Sequence, residues 1–237
     1  MSDFSDAIKK HGISLQKIQI RKLEEYVHLL WSWNERINLT RHTDYDKFAA
    51  RDITDSLALA EFLRHGEKVL DVGTGGGVPG IILAIVRPDL NIELCDSTGK
   101  KALAVSEMLQ ELRLKIPVHH AKAATLLAEK GRRYTTLTIR AVSRLAQLLR
   151  HFAPCWSSFS RMLLVKGPNW IAERGEARHY NLTTKLALRR LKTYTAAVAS
   201  KENAAAESAE SVILQLCLKE DFDQIDAVID KHRTGRR

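Results

Sequence analysis

A run of twelve residues, Val69-Leu70-Asp71-Val72-Gly73-Thr74-Gly75-Gly76-Gly77-Val78-Pro79-Gly80, constrains this chain more than any other stretch. Apolar residues lead into an acid, a glycine-rich run follows, and a Pro-Gly pair opens the apolar segment Ile81 to Val86. That order reads as strand, tight turn and helix, with Pro79 in a first helical turn, where its missing N–H leaves nothing unpaired. Glycine at this density serves positive-φ torsions and lets backbone approach a bound ligand where a Cβ would obstruct it. The turn therefore reads as a ligand loop of an α/β sheet, at the carboxyl end of a strand.

The loop by itself leaves its ligand open. The spacing Gly75-x-Gly77-x-x-Gly80 satisfies the dinucleotide fingerprint of NAD-dependent oxidoreductases. Counted from Asp71, the same residues give Asp-x-Gly-x-Gly-x-Gly, which is similar to the first motif of S-adenosyl-L-methionine (AdoMet) methyltransferases. Both readings need an acid after the next strand to bind ribose hydroxyls, and Asn91-Ile92-Glu93-Leu94-Cys95-Asp96 supplies Asp96 to either.

The rest of the chain narrows the choice. Starting from Ser14, a fair N-cap, Leu15, Ile18, Leu23, Tyr26, Val27, Leu30 and Trp33 recur at three-four spacing and predict an amphipathic helix. A second helix is predicted over 45–63, so residues 1–65 form a helical extension packed on the sheet. The Asn38-Leu39-Thr40 and Asp55-Ser56 clusters need another explanation, because a packing helix does not require them.

Strand-like and helix-like segments then alternate, which predicts a mostly parallel sheet with helices on both faces over residues 66–220. The strands are expected at 68–72, 91–95, 116–119, 134–139, 161–166, 186–193 and 211–218, and the helices at 81–86, 100–112, 121–129 and 141–152. A short connection before the last strand disfavours a parallel crossover, so that strand is predicted to be antiparallel. Seven strands with an antiparallel one near the end make a Rossmann-like methyltransferase sheet rather than a dehydrogenase one. Gly73, Asp96, the turn at 119–123, Arg140 and Lys166 then fall along one edge. Residues 196–208, rich in alanine and polar side chains, read as a flexible connection, and 221–237 as a basic C-terminal tail.

A chain of 237 residues, 45% hydrophobic, can bury a real core, and its formal net charge of +9 suits an anionic partner such as nucleic acid. Cys95, Cys155 and Cys217 lack disulfide or zinc spacing and read as small core residues, so no metal is expected. Without a signal region or an apolar run of about eighteen residues, the protein is expected to be cytoplasmic, off the membrane and monomeric.

Several separate signatures carry a resemblance. Trp33-Asn34, Asn38-Leu39-Thr40, Asp55-Ser56, Asp71 to Gly75, Pro79-Gly80-Ile81, Val86-Arg87-Pro88, Asp96-Ser97, Gly99-Lys100-Lys101, Arg140-Ala141 and Lys166-Gly167 follow one another as in the bacterial 16S rRNA guanine-N7 methyltransferases. This is the glucose-inhibited division protein B family, and the match spans residues 12–218. The resemblance implies AdoMet as cofactor and a single guanine in the decoding region of 16S rRNA, free or in the small ribosomal subunit, as target. It assigns Gly73, Gly75 and Val78 to the cofactor loop, Asp96 to the ribose, Lys122-Ala123 to the adenine, and Arg140 to the cofactor edge facing the substrate. The chain departs from the family at Asp52, where a histidine is usual. It departs again at Ala121 to Ala124, where an arginine and an acid are usual, and at Thr135-Thr136, where an acid often opens the strand.

Guanine N7 has a free lone pair, so the chemistry asks for no general base. It asks for nitrogen, methyl carbon and sulfur held in line in a water-poor site. Arg140 or Lys166 is expected to contact O6 or a flanking phosphate, since a donor on N7 would block the nucleophile. RNA is expected to be gripped by positive surface around the cleft, with Asn38, Arg51, Arg144 and Lys166 among its contacts. The alanines near 121–124 also suit an RNA-binding protein of this fold that has lost activity.

Overall fold

Which way each strand residue faces decides the architecture. On β1 (Lys68–Val72), Val69 is buried in one apolar cluster, and Leu70 and Val72 in another. The alternation recurs on β5 (Phe159–Lys166), where Leu163 and Val165 join the first cluster and Met162 and Leu164 the second. A sheet buried on both faces must be covered on both.

The computed structural model describes residues 3–129, 133–198, 207–223 and 225. Among them, β1, β2 (Asn91–Asp96), β3 (Val118–His120), β4 (Tyr134–Arg140), β5, β6 (Leu186–Val198) and β7 (Glu207–Leu218) form one seven-stranded sheet, ordered β3-β2-β1-β4-β5-β7-β6. The first five strands pair in parallel, and β7 runs antiparallel to both β5 and β6. The antiparallel last strand expected from its short connection is therefore present.

Helices α1 (Phe4–Lys10), α2 (Lys17–Asn34), α3 (Tyr45–Lys47), α4 (Thr54–Ala60), α5 (Gly80–Val86) and α6 (Gly99–Glu111) precede or alternate with the first strands, and all but α3 bury residues in the first cluster. The second cluster is covered by α7 (Ala123–Leu127), α8 (Leu145–Phe152) and α9 (Trp170–His179).

Several predicted boundaries shift. α2 begins at Lys17 rather than after Ser14, because Gln16 and Gln19 make the cap: the Gln16 amide donates to Gln19 Oε1 at 3.0 Å. The helix predicted over 45–63 is α3, a π-helical turn at Phe48–Ile53 and α4 in succession. α8 starts at Leu145, not Ala141, since Ala141 adopts φ +54°, a left-handed torsion that a right-handed helix cannot contain. α1 and α9 were not predicted. α9 buries only Trp170 and Ala177 and carries Gly175 at its middle, so it lacks an apolar stripe. β6 and β7 are longer than expected: pairs such as Ala196↔Ala209 and Val198↔Glu207 take both ends of the predicted 196–208 connection into the ladder. Backbone pairing of this kind needs no apolar pattern. The middle of that connection and the tail beyond 225 lie outside the described residues.

Two polar anchors hold the sheet to its surroundings. Arg161, fully buried on β5, donates to Thr136 Oγ1 at 2.9 Å, to the Phe62 carbonyl at 2.7 Å and to both oxygens of Glu67 at 3.0 and 3.1 Å. Thr136 Oγ1 in turn donates to Glu67 Oε1 at 2.9 Å, so the opening of β4 is tied to the carboxylate that precedes β1. Arg87 closes the end of α4, donating to the Ala60 and Leu63 carbonyls at 2.9 Å while Asp89 holds its other edge.

Candidate active site

Between β1 and α5 the chain reverses within a few residues, and two acids organise the reversal. Asp71, completely buried at the end of β1, accepts from the Gly80 amide and from Thr138 Oγ1, both at 3.0 Å. Burial pushes its carboxyl up to about 6, against those hydrogen bonds and the charge of Arg140. Asp96, at the end of β2, accepts from the Gly75 amide at 3.0 Å and the Thr98 amide at 2.8 Å. Gly73 takes φ +66°, and a Cβ there would sit 2.8 Å from Val142. At Gly80 a Cβ would lie 2.1 Å from Leu94 Cδ2, so this glycine is required by the seating of α5 on β2 rather than by a ligand.

The helical extension is part of this loop's support. Tyr26 on α2 donates its hydroxyl to the Gly76 carbonyl at 2.8 Å inside the core. Asn34 Oδ1 accepts from the Leu39 and Thr40 amides at 2.8 and 2.9 Å, folding residues 35–40 back so that Leu39 lies against Gly76. The Asn-Leu-Thr cluster is explained as the turn that braces the glycine loop from below.

Beyond the strand ends lies a cleft of about 300 Å³. Gly73 and Asp96 form one wall, Ala121, Lys122 and Ala123 a second, and Val142, Ser143 and Phe152 a third. Cys95 also faces it, with burial pushing its thiol up to about 12, so it stays protonated. The third wall is held by Lys166, whose Nζ donates to the Ser143 carbonyl at 2.6 Å and to Glu173 Oε2 at 2.8 Å. The same Glu173 oxygen accepts the Leu145 amide at 2.8 Å, capping α8 from α9.

On the other side of the glycine loop, the π-helical turn and the start of α4 aim two acids inward at Arg140, the last residue of β4. Arg140 Nε donates to Asp55 Oδ2 at 2.8 Å, and its Nη2 lies 2.7 Å from Asp52 Oδ1. Asp55 also receives Tyr194 Oη at 2.7 Å and pairs with Arg51 Nε at 3.1 Å. Asp52 pairs with His42 Nδ1 at 2.7 Å. Burial opposes the charge on Arg140, but the two carboxylates outweigh it and raise its pKa above the ordinary guanidinium value.

Of the residues expected at the site, Gly73, Asp96, Lys122 and Ala123 come together on the cleft, with Gly75 hydrogen-bonded to Asp96. Val78 packs against the first apolar cluster. Arg140 and Lys166, expected at the site, do not line the cleft: both are engaged with acids, Lys166 while holding the Ser143 wall. Arg51 is likewise turned inward, its Nη1 on Ser211 Oγ at 2.8 Å, whereas Asn38 and Arg144 are exposed, Arg144 pairing with Glu176 at 2.9 Å. Sequence reasoning missed the third wall, where 141–144 reads as helix, and missed Tyr194 and His42. Asp52, standing where the resembling family has histidine, and the unexplained Asp55-Ser56 cluster were the available signals for the buried pair.

A Rossmann-like sheet with an antiparallel seventh strand, an acid-tied glycine turn and a cleft between Gly73 and Asp96 define an AdoMet-dependent methyltransferase, not a dehydrogenase. The sequence profile of the rRNA small subunit methyltransferase G (GidB) family matches residues 19–203, and the chain belongs to that family. It is 44% identical over 210 residues to the ribosomal RNA small subunit methyltransferase G of Rhodopirellula baltica, covering 89% of this chain and 90% of the relative. The corresponding protein of Pseudothermotoga lettingae is 33% identical over 196 residues, with 82% and 85% covered. A solved structure, precorrin-6y C5,15-methyltransferase from Geobacter metallireducens, shares the fold with a TM-score of 0.50 at 11% identity, covering 78% of this chain and 95% of that one.

Proposed function

We propose that this protein transfers the methyl group of AdoMet to N7 of a single guanine in the decoding region of 16S rRNA, free or in the small subunit. The observation that carries the reading is the membership of the family over residues 19–203, joined to a cleft whose walls suit the cofactor. The cofactor, when bound, supplies a methyl carbon already activated by a sulfonium. Asp96 would accept ribose hydroxyls, since a carboxylate taking two backbone amides keeps free lone pairs. The turn at Ala121 to Ala124, where the family usually carries an arginine and an acid, would leave adenine to backbone groups and the apolar third wall.

The chain's own contribution is positioning. No side chain needs to remove a proton from N7, and a close alignment of reacting atoms is worth up to roughly 7 to 11 kcal/mol. Arg140 is gripped by the acid cluster through Nε and Nη2, and Nη1, which has no acceptor among the described residues, would donate to guanine O6 or a flanking phosphate. Exposed cations such as Arg144 would add sequence-independent grip on the RNA backbone, and the net charge of +9 supports it.

The test is to remove the protein from its host and map N7-methylguanosine along 16S rRNA. One such nucleoside should vanish and return with the wild-type chain. An unchanged map would overturn the reading.

A further inference from the structure

The acid cluster around Arg140 is larger than packing requires. Asp52 and Asp55 are almost wholly buried, and each has a second polar neighbour behind it. His42 comes from the loop after α2, Tyr194 from β6, Arg51 from the π-helical turn itself, so segments far apart in sequence converge on one guanidinium. Burying carboxylates is costly unless each is paired and hydrogen-bonded. Here both are.

The arrangement also has a direction. Nε donates a hydrogen bond to Asp55 at 2.8 Å, and Nη2, on the same edge of the planar guanidinium, is ion-paired with Asp52 at 2.7 Å. Among the described residues no acceptor takes Nη1, although the side chain keeps a partly open face. A guanidinium gripped on one edge by two fixed acids cannot rotate about its long stem, so its remaining donor is presented in one orientation.

We propose that Asp52 and Asp55 are positioning residues for the methyl-transfer step, holding Arg140 so that Nη1 is its substrate-facing donor, and that His42 and Tyr194 fix the two acids in turn. Residues 52 and 55, three apart where the π-helical turn runs into α4, both reach Arg140 at the end of β4. This rests on the reading of Arg140 as a residue that meets the guanine.

The test is a double-mutant cycle on single-turnover methyl transfer to purified small subunits, with AdoMet affinity and thermal unfolding measured on each variant. Asp52→Asn and Tyr194→Phe keep shape and remove one charge or one hydroxyl. Each is expected to slow transfer by about ten- to a hundredfold, as misplacement near 1 Å can, while AdoMet affinity holds within about twofold of wild type. In an Arg140→Ala background the same substitutions should cost nothing further, because they act only through that residue. Losses that add to the Arg140→Ala loss, or losses that follow only the unfolding temperature, would overturn the proposal. So would wild-type rates in both single variants. If Arg140→Ala itself transfers at the wild-type rate, the role given to Arg140 falls, whatever the acids do. Asp55→Asn is informative only if it folds, and the other two variants decide without it.

Discussion

At the scale of single residues, Asp71 is a carboxyl held away from water and used entirely as a bracket. Its two oxygens join the amide that starts α5 to a hydroxyl on β4. With a folded pKa of about 6 against an ordinary value of 3.8, the native state keeps a proton that the unfolded chain has already lost between those pH values. Folding therefore becomes less favourable as pH rises through that window and levels off above it. The carboxamide of an Asp71→Asn variant has no such titration. In urea unfolding, the stability of wild type minus that of the variant should therefore fall by on the order of 2 to 3 kcal/mol between about pH 3.5 and 6.5. A flat difference would show that the acid is ionised throughout. Lys166 makes a second case, because its ammonium holds a wall of the cleft through the Ser143 carbonyl and Glu173. Lys166→Ala should weaken AdoMet binding about tenfold in a calorimeter, by freeing residues 141–144. Transfer lost with full AdoMet affinity would instead mark a direct contact with RNA.

Among the elements, α5 and α9 make opposite demands on glycine. Gly80 sits where a methyl would strike Leu94 at 2.1 Å and crowd Asp71 Oδ2 at 2.8 Å. Gly80→Ala should cost about 1 to 3 kcal/mol of stability by overpacking. Gly175 lies mid-helix with nothing within 4 Å of its would-be Cβ. There alanine should add roughly 0.4 to 1 kcal/mol, chiefly by restricting the unfolded chain. Thermal unfolding of both variants checks the contrast. Elements built on a strong apolar period were legible in the sequence: α2, α6 and all seven strands stand close to their expected places. α9 was not, since its buried side consists of two residues, and the π-helical turn was not, since its six residues, nearly all buried, carry no periodicity that separates them from the helices on either side. The 141–144 wall was hidden for a different reason. Its shape depends on Lys166 and Glu173, distant in sequence, and no local pattern encodes that hold. Of the site itself, the glycine turn, Asp96 and the turn at 119–123 could be read from the strand pattern, whereas Lys122-Ala123 was singled out only through the family resemblance. The acids around Arg140 were visible only as residues in want of a purpose.

Across the whole molecule, one internal ion pair joins layers that the apolar clusters alone would not fix in register. Burial lowers the Arg161 guanidinium pKa, and Glu67 opposes that fall. Glu67→Gln would leave Arg161 charged without its partner, and should cost about 3 to 5 kcal/mol in urea unfolding, whereas replacing both with apolar residues should cost much less. A similar loss in the double variant would show that the pair contributes net stability. The first apolar cluster has a further property. It contains Phe4 and Ile8 from the first helix, Val69 and Ile81 from either side of the glycine loop, and Ile213 and Cys217 from the last strand. Segments from the beginning, the middle and the end of the described chain thus close one cluster together. The turn that rests on Tyr26 therefore shares its apolar support with the last strand, so a substitution at Ile213 or Cys217 reaches the methyl-donor cleft without touching it.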